Sequence, residues 1–444
     1  MAGAGTAREA DGMDLATVRD LAAATPTTRN RVVDFLRALA IVVVVLGHWL
    51  MAAVVVRDGT LIPNAVLNIA SWSHPLTWVF QVMPVFFLVG GYANALSWRA
   101  ARRRNLGYAD WLRARLRRLL TPVVPLLLCW LVIASGAYAA GLPGSTLRTA
   151  SQVALVPTWF LAAYVLVVAV APGTLWLWER YGWASIAAGL CLGGAIDAVS
   201  ITQHNVAIGF ANYLVVWATV HQLGYAWLDG RLAGRGRRVA LAAFGIVGLV
   251  ALVWLGPYPI SMIGVDNAAL NNSYPTRVTL AFLGMLQAGV ILLLEPRLQR
   301  WLQREMPWRA TVLVNSHIMT LYLWHLTAMV LVIGASLLLG GFGLEAEPLS
   351  STWWSTRPLW YAVLIVVTVG LIALFGRFEN PPRDQGAASL PAWRPVAATI
   401  LGCGGLGFMA AHGIVGPDGV HWWWPLLPIL AVLLLRTDVP AKTR

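Results

Sequence analysis

The sequence predicts an all-α fold: a polytopic transmembrane helical bundle of about ten core spans plus roughly two more at the C-terminal end. Three observations predict it. Only 11% of the 444 residues are charged, 58% are hydrophobic and the mean hydropathy is +0.68, whereas an average soluble domain is roughly 25% charged. Roughly twelve apolar runs approach the ~20 residues that a spanning helix needs. Alternating these runs across a bilayer places 28 of the 32 Lys and Arg residues on one side, as cytoplasmic loops require. The same composition excludes a disordered chain, a collagen-like repeat and a small disulfide-stapled domain. A formal charge of +13 can suggest nucleic acid. Here it reads as an orientation signal, so the bilayer is the expected partner and no nucleic acid is.

In chain order the runs lie at about 35–56, 76–98, 119–140, 152–172, 183–200, 207–228, 239–256, 276–295, 313–339, 358–376, 395–413 and 422–436. The fifth is weakened by Asp197 and several glycines. The last is short and carries Pro425 and Pro428, which leaves crossing and re-entrance both open. Around them the sequence divides into a cytoplasmic tail (1–33), a membrane domain (34–382), additional C-terminal membrane segments (383–436) and a second cytoplasmic tail (437–444). Both termini are thus expected in the cytoplasm of a cell whose inner or plasma membrane holds the protein. Residues 1–33 lack the apolar core and cleavage site of a secretory signal. Arg57, Arg148, Arg277 and Arg357 are the basic residues left on the opposite side.

Cys129, Cys191 and Cys403 all fall within apolar runs and make no disulfide framework or zinc motif, so no metal is expected. The outer loop with Asp266, Asn267, Asn271, Asn272 and Tyr274, and the one with Glu345 and Glu347, read as solvated loops or as contacts for a polar acceptor. Trp72, Trp78, Trp353, Trp354 and Trp422–Trp424 sit at span ends and read as interfacial anchors.

Ionisable groups inside a span are costly and usually face the bundle interior. The first run holds Asp34, Arg37 and His48. Eleven positions at 100° each fall within about 20° of three turns, so Arg37 and His48 share a helix face about 16 Å apart along the axis. Asp34, at i−3 from Arg37, can pair with it. His48 is a candidate general base, or else a buried interhelical hydrogen bond. Arg37 alone reads as a snorkelling anchor. The first basic loop carries Arg99, Arg102, Arg103, Arg104, Arg113, Arg115, Arg117 and Arg118. Within it Arg115 and Arg118, at i,i+3, suit phosphate or pyrophosphate, or simply anionic lipid. Gly90-Gly91 allow close helix packing or room for a ligand. The fourth run contains Pro157-Thr158-Trp159-Phe160-Leu161. The ninth contains His317 and Tyr322-Leu323-Trp324-His325, in which Tyr322 and His325 share a face as a hydrogen-bonded pair or a substrate contact. Asp197 is an intramembrane acid without an evident partner.

Together these residues resemble the acyltransferase-3 family of integral membrane acyltransferases. The segment Arg31-Val-Val-Asp-Phe-Leu-Arg37 through Gly47-His48 is similar to the family's opening Arg-x10-His arrangement. Arg115 and Arg118 before Pro122 look like its Arg-x-x-Arg element. Trp159-Phe160-Leu161 and Tyr322-Leu323-Trp324-His325 look like two further signatures, and Phe378-Glu379-Asn380-Pro381 resembles the Glu-x-Pro ending. The resemblance covers about residues 30–382. It implies transfer of an acyl group, often acetyl, from cytoplasmic acyl-CoA to a hydroxyl of a cell-surface glycan, lipid-linked sugar or small molecule. It implies His48 as the catalytic histidine, Arg37 as its partner, and Arg115 and Arg118 on the CoA side. Trp159, Tyr322, His325 and Asp34 are then candidate pocket residues. Two departures stand out: Gly90-Gly91 where many members have Ser-Gly, and the extra apolar runs beyond Pro381. The rival reading is a multi-span transporter or lipid-carrier exporter, suited by Asp197 and the intramembrane histidines. It predicts no dependence on acyl-CoA. Oligomeric state is not legible.

Overall fold

The computed structural model describes residues 19–20, 22–26, 29–266, 268–379 and 390–436. Asn267, Asn380, Pro381 and the residues of both tails beyond these limits lie outside the described residues.

The chain is a helical bundle with two short antiparallel hairpins, β1 (Val55–Arg57) with β2 (Thr60–Ile62) and β3 (Val415–Gly416) with β4 (Gly419–Val420). The long helices, in order, are α1 (Arg31–Met51), α2 (Met83–Arg103), α3 (Tyr108–Leu120), α4 (Val123–Ala139) and α5 (Gly144–Leu155). Then come α6 (Pro157–Tyr181), α7 (Trp183–Thr202), α8 (Asn212–Leu228), α9 (Arg235–Leu255) and α10 (Thr279–Trp301). The chain ends with α11 (Glu305–Ser316), α12 (Ile318–Leu338), α13 (Ser351–Phe375), α14 (Trp393–His412) and α15 (Trp423–Leu434). Eleven helical stretches among the described residues are long and apolar enough to cross a membrane. The protein is a multi-pass membrane protein.

The structure sharpens several boundaries. The weak fifth run is a 20-residue helix, α7. The fourth run is broken where Pro157 opens α6, a position that suits a residue with no amide hydrogen to donate. It leaves α5 as a separate short helix packed on α12 and α14. The ninth run breaks at His317, between α11 and α12. α15 is a 12-residue apolar helix, shorter than the eleven stretches long enough to cross a membrane. It runs back along α14, so that Arg113 Nε donates to the Leu435 carbonyl at 2.9 Å and Arg394 donates to the Arg436 carbonyl at 3.0 Å. Its end therefore returns to the side on which α3 and α14 begin.

Gly91 serves close packing. A Cβ there would lie 1.9 Å from the His221 carbonyl oxygen, and one on Gly224 would lie 2.2 Å from that of Leu88. Helices α2 and α8 can cross this closely only because both positions lack a side chain. The Tyr164 ring covers Gly90.

The tryptophans divide. Trp72 and Trp422 are exposed, as interfacial anchors should be, but Trp353 is buried beneath the Arg357 guanidinium, 4.3 Å from its ring centre. The 257–278 segment is also not a plain solvated loop. It folds back over one end of the bundle, where Met262 N donates to Thr77 Oγ1 at 2.8 Å and Gln81 donates to the Met262 carbonyl at 3.0 Å.

Candidate active site

His48 lies in the last turn of α1. Its Nδ1 is 2.8 Å from Nε2 of His325 on α12, and the ring planes are parallel within 2°. His325 Nδ1 in turn lies 2.7 Å from the Tyr322 carbonyl oxygen. A carbonyl can only accept. In the neutral pair, His325 Nδ1 therefore carries a hydrogen and its Nε2 accepts from His48 Nδ1–H. His48 Nε2 is left with a lone pair and no partner among the described residues. His48 also lines a cavity of about 1320 Å³. A half-buried imidazole held in one tautomer beside a cavity is the arrangement a general base requires.

The second histidine is itself held firmly. His325 is fully buried, and Trp49 Nε1 donates to its carbonyl at 3.0 Å. The helix that carries it is fixed at its start by Glu379. This carboxylate accepts from the Met319 amide at 2.9 Å, the Thr320 amide at 3.1 Å and the Thr320 hydroxyl at 2.8 Å. These are the otherwise unpaired donors of the first turn of α12, at the positive end of the helix dipole. Burial pushes the Glu379 carboxyl above its ordinary range, and these donors act against that shift.

At the opposite end of α1, Arg37 donates from Nε to Asn315 Oδ1 at 2.7 Å and from Nη2 to Asp34 Oδ1 at 2.9 Å. Asp34 also accepts two bonds from Arg29. Asn315, on α11, returns a bond to the Asp34 carbonyl at 2.9 Å, which locks α11 to α1. Arg37 lies within electrostatic range of Arg118 and Tyr164, and Arg115 lies within range of all three. Arg115 sits over the Trp111 ring at 5.9 Å. Neither Arg115 nor Arg118 has a carboxylate partner among the described residues. Three guanidiniums converging with so few acids suit a phosphate-bearing anion. Other arginines of the same loop serve the fold: Arg99 pairs with Glu179 and Asp229, and Arg113 holds the end of α15.

The structure thus brings His48 and His325 together at one end of α1, and sets Arg37, Arg115 and Arg118 within electrostatic range of one another toward the other. Trp159 lines the cavity with His48. Tyr322 does not. It is buried, its hydroxyl donates to the Pro157 carbonyl, and its link to His325 runs through its backbone carbonyl. Asp34 is a partner of Arg37 and lies away from the cavity. Sequence reasoning missed Asn315, Tyr164 and the capping role of Glu379. A Glu shortly after a long apolar run was the one available signal.

The intramembrane acid Asp197 acquires a full set of partners. Oδ1 accepts from Asn212 at 2.8 Å and Arg277 at 3.1 Å, and Oδ2 accepts from the Val278 amide at 2.8 Å and Tyr258 at 3.1 Å. Arg277 and Asp197 are both buried, and the cluster joins α7, α8, α10 and the 257–278 segment. It is a joint of the fold, in which Asp197 is paired with Arg277. His221 is likewise bonded on both nitrogens, to Asn94 and Tyr225. Among the described residues no group of three His, Cys, Asp or Glu side chains could hold a metal ion.

A multi-pass helical bundle with a histidine pair on a cavity at one end of α1 and arginines toward the other has the parts of a membrane acyltransferase. The chain belongs to the acyltransferase-3 family: that family's model, described as an acyltransferase domain, matches residues 30–377. Neither the curated proteins nor the solved structures contain a match to the chain.

Proposed function

We propose that the protein moves an acyl group, acetyl in the first instance, from acyl-CoA to a hydroxyl of a cell-surface glycan, lipid-linked sugar or small molecule. The observation that carries this reading is that His48, bonded through Nδ1 to His325 with its Nε2 unpartnered, lines the cavity. Arg37, Arg115 and Arg118 bind the donor's phosphates at the cytoplasmic face, and the pantetheine arm extends along α1. The acceptor hydroxyl sits at His48. As its oxygen attacks the thioester carbonyl, its proton passes to His48 Nε2. The C–S bond then breaks, and the departing CoA thiolate takes that proton back. His325 holds the tautomer and shares the developing charge through its hydrogen bond. Transfer is direct, with no acyl-enzyme, and needs no metal.

The test compares purified wild-type and His48→Ala protein for consumption of acetyl-CoA and for acylated product by mass spectrometry. General-base help is worth about 10²–10⁴ in rate, so turnover falls by that factor while insertion and thermal unfolding stay unchanged. Full turnover in well-inserted His48→Ala protein sinks the assignment. Comparing lipids and glycans of a deletion strain then identifies the acceptor by its missing acyl increment.

A further inference from the structure

The cavity at His48 has a wall that the family domain does not supply. Its lining includes Cys403, Gly404, Gly407, Phe408 and Ala411, all on α14, whereas the family match ends at residue 377. Helix α14 carries two glycine faces, each spaced i,i+3. Gly402 and Gly405 face its neighbours: an added Cβ would meet Leu120 at 3.2 Å and Pro428 at 2.5 Å. Gly404 and Gly407 face the cavity, where an added Cβ meets nothing within 4 Å. One face is closed by packing and the other is left empty beside the catalytic histidine.

The surface of that space is mostly apolar, with Gln81, Gln152, Tyr213, Tyr361 and His412 among its polar lining. The lining also includes Val43, Val44 and Leu50 of α1 and Leu166 of α6. The rim residues Leu46, Leu76, Phe80 and Phe408 are 41–55% exposed. An apolar mouth of this kind is unfavourable against water and favourable against lipid. The volume, about 1320 Å³, also exceeds the roughly 300–1,000 Å³ of an ordinary small-molecule pocket. Against the aliphatic part of the lining, a free glycan would leave hydroxyls unpaired, at a cost of about 1–3 kcal/mol for each.

We propose that the acceptor is an amphiphile whose aliphatic chain enters from the bilayer and lies between α1 and α14, with its hydroxyl at His48. Helix α14 thereby sets acceptor specificity. The proposal rests on the acyl-transfer reading and narrows its acceptor to a lipid-bearing alcohol.

The test is photolabelling of the full-length protein in detergent with a long-chain primary alcohol carrying a diazirine in its tail. Labelled residues are mapped by mass spectrometry. Labels are expected on α14 around Phe408 and Ala411 and on α1 around Leu46. They persist in His48→Ala, because binding does not need the base. In Gly407→Trp they fall about tenfold or more, the loss expected when roughly 1.4 kcal/mol of binding is removed. Thermal unfolding confirms that this variant is folded, and Gly404→Leu serves as a second, milder filling of the same face. Labelling confined to the outer surface, or unchanged in both variants, overturns the proposal. So does labelling by a tail-diazirine acyl-CoA in place of the alcohol, which assigns the cavity to the donor's chain and leaves acyl transfer intact. Failure of acyl transfer itself shows separately, as acetyl-CoA turnover that ignores His48→Ala.

Discussion

Two buried polar clusters occupy the same bundle, and they are finished differently. At Asp197 both carboxylate oxygens are bonded twice and an arginine neutralises the charge. At His48 the chain Tyr322 carbonyl, His325, His48 stops one nitrogen short, and the cavity begins there. A carboxylate bonded on both oxygens and paired with an arginine contributes to stability and has little left to offer a substrate. An open cluster keeps a lone pair in an apolar site, a cost that a folded membrane protein tolerates where function needs it. Burial and residue type do not separate the two, and neither does full satisfaction, because Asn212 Oδ1 and Arg277 Nε beside Asp197 also have no partner among the described residues; what separates them is that His48 lines the cavity and Asp197 does not.

The comparison breaks if the two clusters respond alike to mutation. His48→Ala is expected to lower turnover by about 10²–10⁴ with little change in unfolding temperature. Asp197→Ala is expected to leave Arg277 buried without its counter-charge, at a cost of about 3–5 kcal/mol in stability. Its loss of activity follows loss of folded protein. Turnover per folded molecule, read beside detergent thermal unfolding, checks both. A stable Asp197→Ala protein with its chemistry abolished would reverse the assignments.

The arginine end of α1 sharpens the contrast further, because Arg37 is paired with Asp34 while Arg115 and Arg118 have no acid partner among the described residues. Arg115→Ala and Arg118→Ala each remove charge-assisted donors worth about 1.5–3 kcal/mol, which is roughly ten- to a hundredfold in the donor's KM. The rate at saturating acyl-CoA should hold, and the KM for the acceptor should stay fixed. Arg99→Ala, by contrast, breaks the pairs with Glu179 and Asp229 and should act on stability alone.

The sequence made one half of this arrangement legible. The eleven-residue interval put Arg37 and His48 on one face because helical geometry is local, and the i−3 spacing put Asp34 beside Arg37. The rest depends on contacts distant in the chain. His325 is 277 positions from His48, Asn315 is 278 from Arg37, and Arg277 is 80 from Asp197. No periodicity records such pairings. The helix breaks at Pro157 and His317 were hidden for another reason: hydropathy is averaged along a run and does not register a change of direction. Tyr322 and His325 share a face as their spacing requires, but the bond that matters comes from the Tyr322 backbone, which no residue type announces.

Glu379 offers the smallest and most discriminating prediction. It lies outside both clusters, yet it accepts three bonds at the start of the helix that carries His325. Glu379→Gln keeps one acceptor oxygen and loses the charge, so the cap weakens by about 1 kcal/mol. A merely structural loss would lower the amount of folded protein and leave each molecule's kinetics intact. A positioning loss would let α12 shift, loosen the 2.8 Å bond between the histidines and free the His48 tautomer. That second outcome is expected: kcat per folded molecule falls severalfold while the KM for acyl-CoA, set at the other end of α1, does not move. Glu379→Asp, which restores the charge on a shorter arm, should recover part of the loss. If kcat holds and only yield falls, the open cluster does not depend on its helix cap.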